Sequence, residues 1–145
     1  MRIRLTTLSA IMVALLFIIP GASRLHAQIV DQVRAHIEHS FVIGNTALPP
    51  GDYTFRMMSD SQLTIMTAWN EKDKISVGFI VQNITDDHMP KHSEVVFRKY
   101  GDTEFLNKIF EGGSKVGVQL TETGRQEARL VNQGLQPTEH TEEQQ

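Results

Sequence analysis

Four residues with metal-binding chemistry crowd one stretch of this chain: Asp86, Asp87 and His88, with His92 four positions on. Carboxylates and imidazoles around Pro90 could hold a divalent cation. The order matches no calcium loop, which needs alternating acids, a glycine and a closing glutamate. A solvated charged loop is therefore the reading adopted, and no metal or other cofactor is expected. His36 and His39 form a second pair. On a strand, residues three apart point to opposite faces. The helical zinc-protease motif also needs a glutamate directly after the first histidine, and Ile37 stands there.

Nucleophilic chemistry finds no better footing. Ser40, Ser59, Ser61, Ser76, Ser93 and Ser114 sit in no G-x-S-x-G elbow. The chain has no cysteine, so a thiol nucleophile and a lipid-modified cysteine are excluded. Among the aromatics, Tyr53, Trp69 and Tyr100 could build a sugar-binding platform. Tyr53 alternates with Phe55 and Met57 and reads as core. Trp69 is the only tryptophan and falls at a strand end beside a charged turn, so it is the candidate ligand-binding residue.

These residues must be positioned by elements that begin after the leader. Arg2 and Arg4 open the chain, an apolar run covers Ala10 to Ile19, and Pro20-Gly21 breaks it. Leu25-His26-Ala27 then precedes Gln28. This is the layout of a signal peptide over residues 1–27, with cleavage after Ala27 or, alternatively, Ser23. The run is half of the roughly 20 residues a spanning helix needs. An exported protein without a stable membrane anchor is expected, periplasmic or extracellular.

The expected mature chain, 28–145, carries 11 Lys and Arg against 17 Asp and Glu, a net charge of −6. Phosphate binding needs clustered cations, so nucleic acid is an improbable partner. Without disulfides, the domain must be held by its core and backbone pairing alone.

Period-two alternation dominates, the mark of half-buried strands. Val33 to Ile43 reads as one long strand or two short ones, with Gly44-Asn45 as a turn. Pro50-Gly51 has the residues of a type II turn. Strands follow around Tyr53–Met57, Leu63–Trp69, Ile75–Val81, Val95–Tyr100, Phe105–Phe110 and Val116–Leu120. Thr123 and Gln126 have capping-box spacing, which predicts a helix over 124–132. From Gln133 the chain is polar, and a disordered tail over 133–145 is expected. The expected fold is all-β: an antiparallel sandwich or small barrel of six to seven strands, with a short C-terminal helix, forming one domain over 28–132.

Two segments carry a resemblance. One is Phe41 to Phe55, with Leu48-Pro-Pro-Gly51 leading into Tyr53; the other is Val95 to Leu106, followed by Ile109-Phe110 and Gly112-Gly113. With the leader, they resemble a group of small exported β-rich proteins of acidobacterial-type soil bacteria. Ile37-Glu38-His39 departs from the Ile-Pro-Phe of that group, and Pro50 replaces an alanine. Glu104 carries an acid where an aromatic is common. The resemblance implies export and a β fold, and no activity or ligand.

The function expected is non-catalytic: binding or assembly in the envelope through the protein's surface, with an envelope protein or glycan as partner. One alternative is a carrier of a small apolar ligand in a barrel lined by Phe79, Phe97 and Phe105. Another is a small hydrolase.

Overall fold

Alternating side chains become alternating burial along the first strand, where Val33, Ala35 and Ile37 are buried and the residues between them exposed. The computed structural model describes residues 30, 32–58 and 64–144. The proposed leader, 1–27, lies outside them. The elements are β1 (Gln32–Ile37), β2 (Phe41–Ile43), β3 (Thr46–Leu48), β4 (Gly51–Met58), β5 (Ile65–Asn70), β6 (Ile75–Thr85), β7 (Glu94–Tyr100), β8 (Thr103–Phe110), β9 (Val116–Leu120), α1 (Arg125–Asn132) and β10 (Thr138–Glu143).

The chain is all-β with one short helix. One sheet path runs β1-β4-β5-β6-β9-β8, and β8 also pairs with β2 and β7. The long strand β6 turns the corner: residues 75–80 pair with β5, and residues 81–85 pair with β9. β10 pairs with β7 alone and β1 with β4 alone. The unpaired edges of β1 and β10 approach each other without a ladder, so the sheet folds round on itself but does not close into a barrel.

The core follows from register. Val33, Phe55, Ala68 and Val77 are cross-strand neighbours in one row, and Met57, Met66 and Phe79 in the next. Val95, Phe97, Leu106, Ile109 and Val118 join them from the other half of the sheet. A second, smaller cluster of Val42, Tyr100 and Phe105 is covered by Leu130 of α1. At Gly117 the sheet leaves no room for a side chain: a Cβ there would strike the Phe110 ring and lie 2.8 Å from Ile109 O.

Several sequence expectations are corrected. Ten strands are present among the described residues, more than the six to seven expected. The sheet is mixed rather than purely antiparallel, because β2 runs parallel to β8 over two residue pairs. Of the two readings of Val33 to Ile43, two short strands is the one observed: β1 and β2 are separated at Glu38–Ser40, where His39 is half-buried between exposed neighbours. Gly51 takes φ +154° and opens β4 opposite Ile37, so Pro50-Gly51 is not a type II corner. The helix is not capped by Thr123: Gly124 is its N-cap, and Asn45 Oδ1 accepts from Arg125 N–H at 2.8 Å across the fold.

The largest correction is the tail. Thr138–Glu143 is not disordered; it is β10, in register with Glu94–Lys99 of β7. Its composition is polar because its half-buried positions carry His140 and Glu142 instead of apolar residues. Burial of apolar area does not hold this strand; backbone pairing and ion pairs do.

Candidate functional site

Two sites can be built from the residues upward, and they share no side chain. The first is the outer face of β4, β5 and β6. Register places Thr54, Trp69 and Ser76 in one cross-strand row and Arg56, Thr67 and Gly78 in the next. Thr54, Arg56, Met58, Thr67, Trp69 and Ser76 line a concave region of about 360 Å³. Trp69 is 37% exposed, high for so large an aromatic. Gly78 leaves its position open, since a Cβ there would meet nothing within 4 Å.

A rigid turn fixes Trp69 at the end of β5. Its neighbour Asn70 is buried; Asn70 Nδ2 donates to Asp73 Oδ2 at 3.0 Å, and Asn70 Oδ1 accepts from Asp73 N–H at 3.1 Å. Tyr53 and Tyr100 do not join the face. Tyr53 is core, with its hydroxyl donating to Pro49 O at 2.7 Å. Tyr100 packs edge-on against Phe105.

The second site lies at the seam between β1 and β10. Glu104, on β8, is only 4% exposed yet keeps three cationic or imidazole neighbours. His140 Nδ1 donates to its Oε2 at 2.7 Å, and Lys99 Nζ lies 3.1 Å from its Oε1. His39 Nε2 is buried and 2.8 Å from the same Oε2, off the line that a hydrogen bond needs. Burial pushes the Glu104 carboxyl up, but the bonds from His140 and Lys99 and the charges of His39 and His140 outweigh it and hold it below the usual range. Glu142 completes the group, with Oε1 3.3 Å from His39 Nδ1 and 4.0 Å from His140 Nε2. Phe97 floors it: its ring meets His39 edge-on at 5.1 Å and lies 6.3 Å from His140.

The loop residues singled out by sequence do not assemble in this way. Asp86 Oδ1 accepts from His88 N–H at 3.1 Å, and its other oxygen lies 3.9 Å from Lys108 Nζ. That backbone bond is the main reason its carboxyl is held low. His88 Nε2 points toward Glu94 at 3.8 Å. Asp87 and His92 are exposed. Among the described residues, the group whose ligand atoms converge is His39, His140 and Glu142. Sequence reading missed it because its members come from a turn and a strand about 100 residues apart. The available signal was Glu104, an acid beside the apolar run Phe105-Leu106.

His36 stands apart from His39, as strand geometry requires. It is exposed, and its Nδ1 lies 2.7 Å from Asp52 Oδ1 on the neighbouring strand. That hydrogen bond, reinforced by the Asp52 charge, raises its pKa above 6.5. Between this pair and the end of β10 runs a groove of about 500 Å³, lined in part by Arg34, Glu38, Glu142 and Glu143. Phe97 and Phe105 line no common space: Phe97 belongs to the main core and Phe105 to the cluster under α1. No helix among the described residues is long and apolar enough to cross a membrane.

Comparison with protein-family models, curated proteins and solved structures returns no match.

Proposed function

We propose that this chain is an exported, non-catalytic binding protein of the cell envelope, whose working surface is the dish around Trp69. A glycan is the ligand class the dish fits. One observation carries the reading: the only tryptophan stands half-exposed in the row Thr54–Trp69–Ser76, beside the gap at Gly78. An indole offers a broad rigid apolar surface to the C–H face of a sugar ring. Thr54, Thr67 and Ser76 supply hydroxyls, and Arg56 supplies N–H donors, for the sugar's own hydroxyl groups. A concave apolar wall with a few polar groups is the usual form of a small-ligand site.

Export rests on the leader, and the resemblance to exported β-rich proteins supports it. The non-catalytic reading rests on the sequence, which has no thiol and no nucleophile elbow. The filled interior supports action through the surface.

The single tryptophan makes the test direct. Its fluorescence is followed while soluble envelope glycan fragments and neutral oligosaccharides are added to the purified exported protein. A saturable change, with the matching calorimetric heat lost in Trp69→Ala, is expected. The reading fails if no glycan gives a saturable signal. It also fails if Trp69→Ala binds as tightly as the parent.

A further inference from the structure

One oxygen of Glu104 lies against one nitrogen of each imidazole beside it. A carboxylate only accepts hydrogen bonds, so the His140 proton sits on Nδ1, where Oε2 is 2.7 Å away. The same oxygen lies 2.8 Å from His39 Nε2, which leaves His39 Nδ1 on the side of the ring away from Glu104. The other two nitrogens, His39 Nδ1 and His140 Nε2, are turned toward Glu142. Its Oε1, itself an acceptor, lies 3.3 and 4.0 Å from them. The two histidines and Glu142 thus each offer a ligand atom within 4.8 Å of the others.

We propose that His39, His140 and Glu142 bind a divalent first-row transition ion such as Zn²⁺, with Glu104 as the outer carboxylate that orients His140 and lies behind His39. Zinc bonds of about 2.0–2.1 Å at tetrahedral angles set ligand atoms about 3.3 Å apart. The His39–Glu142 separation is already 3.3 Å. The His140–Glu142 separation of 4.0 Å closes by a small rotation of the partly exposed Glu142. Two nitrogens and one oxygen suit zinc, copper, nickel or iron better than magnesium or calcium, which prefer all-oxygen shells. A metal-bound histidine that gives its second N–H to a carboxylate is the usual outer arrangement of such sites. Here His140 gives its Nδ1–H to Glu104, and His39 Nε2 lies 2.8 Å from the same oxygen.

The three ligands come from both sides of the seam. His39 lies in the turn after β1, and His140 and Glu142 lie two apart on β10. A bound ion therefore clasps the two edges that backbone pairing leaves unjoined, and it lends the domain the cross-link that a cysteine-free chain lacks. This site is independent of the Trp69 dish and stands or falls separately.

The plainer role for these residues is edge protection, since inward-pointing charges keep strands from pairing with other chains. That role needs no ion, and the two are separated by experiment. Zn²⁺ is titrated calorimetrically into the purified, untagged, exported protein, and into His39→Gln, His140→Gln and a triple variant replacing His36, His88 and His92 by Gln. One saturable ion per chain is expected. Affinity should fall at least tenfold in His39→Gln or His140→Gln and stay at the parent value in the triple variant. Glu104→Gln, a positioning change, should lose about 10–100-fold. Co²⁺ in the parent protein should show the visible absorption bands of a four- or five-coordinate ion with nitrogen ligands. The ¹⁵N resonances of the histidine side chains should move on Zn²⁺ addition at His39 Nδ1 and His140 Nε2, a readout that needs no variant to fold. Absence of saturable binding, binding that survives both single histidine changes, or loss in the triple variant would each overturn the proposal. So would histidine resonances unmoved by Zn²⁺.

Discussion

His140 Nδ1 donates to Glu104 Oε2 across 2.7 Å, joining residues 36 apart in the chain. The bond links the last strand to the β7–β8 hairpin, and Glu104 is buried enough that losing it strands its partners. Lys99 also loses its carboxylate, as does the buried His39 Nε2. Glu104→Ala is expected to destabilise the domain by about 2 kcal/mol in urea unfolding, the scale of hydrogen bonds to charged groups. Amide exchange in β10 should accelerate more than in β5, which this carboxylate does not touch.

Removing β10 tests the corrected reading of the tail. A chain ending at Gln136 leaves β7 with a bare edge, and unpaired edges promote association with other chains. The shortened protein should self-associate in sedimentation while the full chain does not. A truly disordered tail could be removed with no such effect.

Glu127 gives a pH signature. It is the buried residue of α1, with Arg98 Nη2 donating to Oε2 at 3.2 Å. Burial raises its pKa above 4.5, against the opposing effects of Arg98 and the Tyr100 hydroxyl. The folded state then holds a proton that the unfolded state has released, so this group's contribution is fullest below pH 4.5 and falls as pH rises through the folded value. Glu127→Gln removes the titration. The stability of the parent minus that of the variant should decrease with rising pH across this window and then level off. Chemical denaturation of both proteins from pH 4 to 7 measures it; a flat difference contradicts the assignment.

Two glycines separate packing from function. Gly117→Ala forces a methyl against Phe110 and Ile109 O and should cost about 1–3 kcal/mol. Gly78→Val enters open space and should change stability by no more than about 0.5 kcal/mol. It fills the gap beside Trp69, however, so glycan affinity should fall. Melting curves and the fluorescence titration together read both effects.

Much of this was legible in the residues. Alternation marked β1, β4 and β6 because each buries one face, and a period of two records that directly. Trp69 stood out as a lone tryptophan near a charged turn. The helix was legible in place, but its cap was not, since Asn45 reaches it from 80 residues away. β10 escaped detection because its half-buried positions are histidine and glutamate, and hydrophobic patterning cannot register a strand held by backbone pairing and charge. The sequence by itself determined the class of structure, because side-chain period and turn residues are local properties. Only the tertiary structure decided that His39, Glu104, His140 and Glu142 meet. Their meeting depends on how a folded sheet brings the free edges of β1 and β10 together, and no local pattern records that distance.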